Sequence, residues 1–333
     1  MTPPPIPLLH VEGSHTEVGR QVGAATADGI RRAVAAAPFD PAVVERYRAV
    51  TLEHLAWVVE ELDGAAEGAG VDPLAVFAAS VEELAPVEAP TGCSDLVVTG
   101  AGGRLLVAHN NDLYAEDEQD IVAIEWRVPG EPVAFTLGTG PWLSVGWNDA
   151  GLSVTGNELS PNDERVGIPR LVLMRDVLTR RTLGEAVTAV LHPARASSYN
   201  WVFAHRTDGA LNVEGSATEA ASDAPDADGV LAHTNHYARE DMQRFESSDH
   251  VDGSCRRLER ALELGRGGPF TVEALRAVLA DHENAPDSLC CHGDEPKPVK
   301  TVFWCVADVT AGRITYGRGN PCDSEPQVYS FGP

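Results

Sequence analysis

Positive charge is what this chain of 333 residues most lacks. It has two lysines, Lys297 and Lys300, so arginine carries nearly all of it, and the net charge is −25. So acidic a chain argues against nucleic acid and anionic membrane as partners. No apolar run approaches the roughly 18 residues of a membrane span, so none is expected. Met1-Thr2-Pro3-Pro4-Pro5 has neither a positive n-region nor an apolar core, so no signal peptide is expected. Six cysteines without a Cys-x-x-Cys pair do not make a disulfide framework in a chain this long. The expectation is a reducing, cytoplasmic setting with free thiols. No internal repeat or linker divides the sequence. What is present is ordinary for a globular protein, 43% hydrophobic and 23% charged, and long enough for a large core.

The hydrophobic pattern changes once, at Thr91-Gly92-Cys93-Ser94-Asp95. Before that junction it is helical. Residues 14–36 read as one helix, with Val18, Val22 and Ala25 on a common face. A second starts at Asp40-Pro41, a capping residue followed by proline at the first helical position, and carries Val44, Tyr47, Leu55, Val58 and Leu62. A third starts with the same signal at Asp72-Pro73, buries Leu74, Phe77, Val81 and Leu84, and stops at Pro86. After the junction, strands are expected at 95–99, 104–109, 121–128, 133–137, 143–147 and 152–157, with a solvated acidic loop at 116–120. Helices follow at 169–180 and 183–191. Strands resume at 199–205, 211–215 and 230–235, then helices at 254–264 and 272–281, then a hairpin of 302–308 and 313–317. Two strand blocks with helices between and outside them suggest two antiparallel sheets packed together and covered by helices on both sides.

Cysteine is strongly nucleophilic only as the thiolate, a few per cent of it at neutral pH unless something activates it. Cys93 follows a glycine, which lets another group approach its carbonyl closely. Attack of the Cys93 thiol on the Gly92 carbonyl, then hydrolysis, would leave Cys93 as a new N-terminus. Its α-amine, with an ordinary pKa of about 7.7–8.0, could then act as the general base. A Gly-Cys pair alone fits a buried structural cysteine as well. The hairpin that Cys93 begins brings His109-Asn110-Asn111-Asp112 back towards it, so His109 and Asp112 can approach the thiol. Otherwise this is simply a polar strand end.

Seven motifs in order then resemble the penicillin acyltransferase type of N-terminal-nucleophile (Ntn) hydrolase, peptidase family C45, and more distantly the bile salt hydrolase and penicillin V acylase group. Residues Gly13 to Gly23 resemble the family's N-terminal signature, Gly92-Cys93-Ser94 its processing site, and His109-Asn110-Asn111-Asp112 its Asn-x-Asp element. Asn148-Asp149-Ala150-Gly151-Leu152 with Gly156-Asn157, His233-Thr234-Asn235-His236-Tyr237, and Ser254 with Arg257 and Arg260 resemble the downstream motifs, with Gly319-Asn320-Pro321-Cys322 closing the series.

The resemblance implies a four-layer αββα sandwich over 1–333, with a helical segment 1–92 and a catalytic segment 93–333 separated by self-cleavage of an inactive precursor at Gly92-Cys93. It implies Cys93 as nucleophile, Asp112 as the residue fixing the freed amine, and Asn235 as an oxyanion donor. Asn157 or Glu158 would supply a backbone N–H to the same hole, and Arg257 would reach the nucleophile. His109 stands where bile salt hydrolases carry arginine, Cys305 where the family often has serine, and Asp95 is an unusual neighbour of the cut. The implied reaction is hydrolysis of a small acyl-amide, or transfer of an acyl group from an amide or thioester to an amine, through a Cys93 thioester. It needs no cofactor or metal. Oligomeric state is left open, a homo-oligomer included. Three rivals stand beside this. One is a metal site from Cys290-Cys291-His292 with His282 and Cys305, weakened by the adjacent cysteines. Another is an unprocessed Cys–His–Asp hydrolase using His109, His233 or His236 as base. The third is a catalytically silent binding protein on the same fold.

Overall fold

The computed structural model describes residues 3–84, 92–249, 251–268, 270–293 and 299–332. Met1, Thr2, the expected stop at Pro86, Thr91 and Lys297 lie outside these residues. The helices are α1 (His15–Ala25), α2 (Ala27–Ala36), α3 (Pro41–Ala69), α4 (Pro73–Ala78), α5 (Arg170–Val177), α6 (Leu183–Val190), α7 (Asp252–Gly265) and α8 (Val272–Leu279). The expected helix at 14–36 is two helices. Thr26 leaves helical geometry (φ −115°, ψ 20°), and its hydroxyl donates to the Val22 carbonyl at 2.8 Å, competing with the backbone pattern. Asp40 and Asp72 cap as expected, accepting the amides of Ala42 and Leu74 at 2.9 and 3.0 Å. α4 stops at Ala78, short of the expected reach, and a 3-10 turn covers Glu82–Leu84.

The strands are β1 (Leu8–Glu12), β2 (Gly92–Thr99), β3 (Leu105–Tyr114), β4 (Val122–Arg127), β5 (Ala134–Thr139), β6 (Trp142–Asn148), β7 (Leu152–Asn157), β8 (Tyr199–His205), β9 (Gly209–Gly215), β10 (Ala220–Asp223), β11 (Val230–His233), β12 (Val299–Asp308), β13 (Arg313–Arg318) and β14 (Gln327–Ser330). They form an eight-stranded sheet, β1-β4-β5-β6-β7-β8-β9-β10, and a six-stranded sheet, β11-β2-β3-β12-β13-β14. β1, β10 and β14 were not expected. All three lie at sheet edges, where short, partly exposed strands carry little alternation. The pairing is antiparallel except between β1 and β4, which run parallel from Leu8 opposite Ala123 to Glu12 opposite Arg127. That one pair corrects the expectation of two wholly antiparallel sheets. β2 and β3 also extend past their expected ends, because polar residues such as Ser94, Asp95, Asn110 and Asn111 are buried there instead of marking a turn.

Three apolar layers hold the sandwich. Val18, Val22, Val58 and Phe77 pack on Ile124, Trp126, Trp201 and Phe203, joining the first helices to the outer face of the eight-stranded sheet. Val97, Val107, Phe135, Leu137 and Phe303 fill the space between the sheets. Leu96, Val98, Leu106 and Trp304 meet Leu275 and Leu279 under α7 and α8. The order is helices, sheet, sheet, helices: the αββα sandwich. Alternation along β2 sends Val97 inward and Leu96 and Val98 towards α7 and α8. Cys93 and Asp95 therefore share the inter-sheet face, and Ser94 faces α7.

The N-terminal signature is a packing device. A methyl on Gly19 or Gly23 would fall 1.9 or 2.0 Å from the carbonyl oxygens of Glu61 and Ala65, so these glycines let α1 lie directly on the α3 backbone. No described helix is long and apolar enough to cross a membrane.

Candidate active site

The β2–β3 register sets Gly92 opposite Asp112, Cys93 opposite Asn111, Ser94 opposite Asn110 and Asp95 opposite His109. The apolar residues further along both strands, divided between two cores, prevent a one-residue slip. On the other side of β3, β12 carries an irregularity between Thr301 and Phe303 that leaves Thr301 paired with Asp112. The Thr301 hydroxyl donates to Asp112 Oδ1 at 2.7 Å. The carboxylate lies over the residue before the cysteine: a Cβ on Gly92 would meet Asp112 Oδ2 at 2.6 Å. Only glycine fits there without displacing Asp112.

Cys93 is gripped on both sides of its backbone. Its N–H donates to Asn235 Oδ1 at 2.8 Å, and its carbonyl accepts from Arg257 Nη1 at 2.6 Å. Arg257 is buried, not a solvent-facing helical arginine. It also donates to Ser94 Oγ at 3.0 Å and to Asn235 Oδ1 at 3.0 Å. Asn235 lies just after β11, since the strand expected to reach it ends at His233. Its own N–H donates to Ser254 Oγ at 2.7 Å, and its Nδ2 donates to the Glu158 carbonyl at 3.1 Å. Thus Cys93, Asp112, Asn235, Arg257 and Glu158 come together from five parts of the chain.

Cys93 is buried, 6% exposed. Burial pushes its pKa well up, the charges of Asp112 and Asp95 add to this, and a hydrogen bond with the Asp112 backbone and the Arg257 guanidinium oppose it. Asn111 Nδ2 approaches Sγ at 3.6 Å and His109 Nε2 at 3.4 Å, while His109 Nδ1 stands 2.9 Å from Asp95 Oδ1. With Nδ1–H donated to the carboxylate, Nε2 is left to accept from the amide. Among the described residues, His109 is linked to the thiol through Asn111.

Other singled-out residues lie around this centre. Asn157 Oδ1 is 2.9 Å from His233 Nδ1 and accepts from Asn200 at 3.0 Å, so its side chain belongs to a buried network with His233, whose Nε2 meets Glu214 at 2.9 Å. His236 Nδ1 is 2.7 Å from Ser254 Oγ. Burial lowers its pKa to about 4, with His233 adding, Glu214 opposing and Arg257 adding. Asn148 shapes the β6–β7 turn, accepting from Leu152 N and donating to the Leu178 and Arg180 carbonyls at the end of α5. Of the rival metal ligands, His282, Cys290 and His292 do come together, but their fourth neighbour is Cys322. Cys291 points its thiol at the Val299 carbonyl, and Cys305 is buried in β12 opposite His109. Sequence reasoning missed Asn111 and Thr301. Counted back from the expected 100–103 turn, the hairpin register sets Asn110 opposite Cys93; the observed loop is one residue longer, pairing Thr99 with Leu105 and Cys93 with Asn111. Nothing local points to Thr301.

This architecture defines a class: an αββα sandwich with a cysteine at the head of an interior strand and a carboxylate over the preceding glycine. The chain belongs to the acyl-coenzyme A:6-aminopenicillanic acid acyl-transferase family, whose model matches residues 98–323. Among curated proteins it is similar to the 40 kDa form of acyl-coenzyme A:6-aminopenicillanic-acid-acyltransferase from Emericella nidulans, 24% identical over 94% of this chain and 93% of that one. Among solved structures it is similar to a variant of the conjugated bile acid hydrolase from Clostridium perfringens, at 15% identity and TM-score 0.48, over 72% of this chain and 97% of that one. It is also similar to penicillin V acylase from Agrobacterium tumefaciens, at 13% identity and TM-score 0.46, over 71% and 84% of the two chains.

Proposed function

We propose that the chain is a self-activating cysteine acyltransferase or amidohydrolase with Cys93 as its nucleophile. The observation that carries this is the setting of the Gly92-Cys93 bond: Asp112 over Gly92, Asn235 on the Cys93 N–H and Arg257 on its carbonyl. In the first step Sγ attacks the Gly92 carbonyl carbon. The S–C bond forms, the C–N bond breaks, and the thiol proton ends on the Cys93 amine. Water then cleaves the thioester, releasing Gly92 as a carboxylate and Cys93 as an N-terminal residue.

The raised thiol pKa fits a quiescent precursor, since the buried thiol stays protonated at neutral pH. Cleavage places an ammonium or amine on the same residue, which opposes that shift and supplies a base within reach. In turnover the amine takes the thiol proton while Sγ attacks the acyl carbonyl. The oxyanion is met by Asn235 Nδ2, which must leave the Glu158 carbonyl to do so. The leaving group departs with the proton, and the thioester passes its acyl group to water or an amine. Asp112, held by Thr301, fixes the amine.

The rival Cys–His–Asp reading is weaker on geometry. The Asn111 amide nitrogen that separates His109 from Sγ is a donor to both and cannot accept the thiol proton. Kinship with an acyl-coenzyme A:6-aminopenicillanic acid acyl-transferase makes acyl-CoA thioesters the first donors to screen, with small acyl-amides and amine acceptors beside them.

Intact mass spectrometry tests the reading. Wild-type protein is expected as fragments 1–92 and 93–333, and Cys93→Ala as one uncut, inactive chain. Cleavage at that bond or substrate turnover by Cys93→Ala would sink it.

A further inference from the structure

We infer that His282, Cys290, His292 and Cys322 bind one zinc-class divalent ion, and that this ion pins the loop supporting Thr301. The four side chains come from three places: the residues after α8, the Cys290-x-His292 segment before β12, and the turn after β13. One ligand atom from each lies within 4.8 Å of all the others. The separations are 3.7 Å between the two sulfurs, 3.6 Å from each sulfur to His292 Nε2, and 3.0 Å between the two imidazole Nε2 atoms.

Those distances decide the chemistry. Around tetrahedral zinc, with Zn–S about 2.3 Å and Zn–N about 2.0–2.1 Å, the edges are about 3.7 Å for S–S, 3.6 Å for S–N and 3.3 Å for N–N. Of the six edges of the tetrahedron, three match, the edge between the imidazoles is a few tenths of an ångström short, and the two from His282 to the sulfurs lie within 4.8 Å. Two thiols and two imidazoles are also the donor set that soft and borderline metals select. A disulfide between Cys290 and Cys322 would need its sulfurs at about 2.0 Å. Binding releases both thiol protons to solvent, so a dication and two thiolates leave the site without net charge.

The surroundings suit thiolate ligands. Asn320 Nδ2 approaches Cys290 Sγ at 3.4 Å and donates to the Cys291 carbonyl at 2.6 Å, an outer contact of the kind that orients a metal-bound sulfur. Arg260 neutralises Asp281, the residue before His282, at 2.8 Å. Cys291 turns its own thiol away, so the adjacent cysteines do not compete for one corner.

From Cys290 the structure leads directly to Asp112. The Cys291 N–H donates to Thr301 Oγ1 at 3.1 Å, the Thr301 N–H donates to the Cys291 carbonyl at 2.8 Å, and Thr301 Oγ1 donates to Asp112 Oδ1. An ion at Cys290 would hold the segment that holds Thr301. The ion site stands without the catalytic reading; only its effect on Asp112 rests on that reading.

Elemental analysis of protein prepared without chelator, then dialysed against micromolar zinc, gives the test. About one zinc per chain is expected, with replacement by cobalt producing the visible bands of a tetrahedral thiolate site. Cys322→Ser and His292→Ala are expected to lose the ion and the cobalt bands, while Cys255→Ser, on α7 outside the cluster, keeps both. Chelation should lower the melting temperature of wild type but not of Cys322→Ser. Zinc-free wild type, a Cys290–Cys322 disulfide in its place, or zinc retained by both cluster variants would overturn the inference. If the ion is present and lost as expected but the 92/93 cut persists unchanged, the ion site stands and its link to Asp112 fails.

Discussion

At Gly92 a single hydrogen separates a permitted backbone from a collision. Alanine there would place its methyl 2.6 Å from Asp112 Oδ2, so either the chain or the carboxylate must move. Gly92→Ala is expected to fold, because the clash falls on one side chain, and to accumulate as the uncut 333-residue form in a time course on denaturing gels. Cutting at the wild-type rate would show that Asp112 need not occupy its observed position. Across β12, Thr301→Val keeps the shape of Thr301 and removes its hydrogen bonds with Asp112 and with the Cys291 N–H. Hydrogen bonds to charged groups contribute about 1.5–3 kcal/mol, so kcat/KM should fall roughly ten- to hundredfold. Rescue by Thr301→Ser would separate lost positioning from lost packing. Asn111→Ala should affect the thiol more than the fold, since Asn111 Nδ2 is the side-chain donor closest to Sγ in the described hydrogen bonding.

Elements carry these residues to their places, and a turn between two of them titrates. Residues 234–237 lead from β11 towards α7, and His236 there sits on Ser254 Oγ, which also accepts the Asn235 N–H. The His236 pKa is lowered to about 4 from 6.5, first by burial and then by His233 and Arg257, with Glu214 opposing. The folded chain therefore binds fewer protons than the unfolded one between those values. The stability of the neutral ring is complete above about 6.5 and is lost as the pH falls towards about 4, up to about 3 kcal/mol. His236→Gln, which keeps a polar partner for Ser254, should flatten the acid limb of a plot of melting temperature against pH. An unchanged limb would assign the acid sensitivity to other groups.

At the same scale, the long amphipathic helices and the interior strands were legible in the sequence because their periods are strong and their caps explicit, as at Asp40-Pro41. Short edge strands such as β10 and β14 carry too little alternation to register. The break at Thr26 escaped because its cause is one hydroxyl turned back on the chain. Gly92, Cys93, Asp112, Asn235 and Arg257 were legible by resemblance, and their convergence is a matter of register and layer. Thr301 was not, because its role depends on a strand irregularity 189 residues from Asp112 in the chain. Cys322 was assigned to a terminal motif, and only the fold brings it to Cys290.

Across the whole molecule, segments 1–92 and 93–333 share their cores. β1 adds a strand to the sheet formed by β4 and its neighbours, and α1 to α4 supply one wall of the first apolar layer. A buried ion-pair cluster crosses the same boundary. Arg175 donates to Glu61 and Glu131 at 2.9 and 3.0 Å, between the rings of Trp57 and Trp126, with His15 on Glu61 at 3.1 Å. A cut at residue 92 should therefore leave one particle. Two bands on a denaturing gel and one species by native mass spectrometry, separable only in denaturant, are expected. Spontaneous release of 1–92 would contradict the shared core.

One further contact joins opposite ends of the chain. Ile6 N donates to Gln327 Oε1 at 2.7 Å, and Gln327 Nε2 returns a hydrogen bond to the Ile6 carbonyl at 2.9 Å. The stretch before Ile6 runs past Arg318, whose Nε donates to the Pro4 carbonyl at 3.0 Å, and β14 runs the other way to Ser330 opposite Arg313, so a flexible linker joining them has to span β13. A circularly permuted gene could join them there and open the polypeptide at residue 93. Once the initiator methionine is trimmed, such a protein would be born with its thiol beside a free amine and would have nothing left to cut.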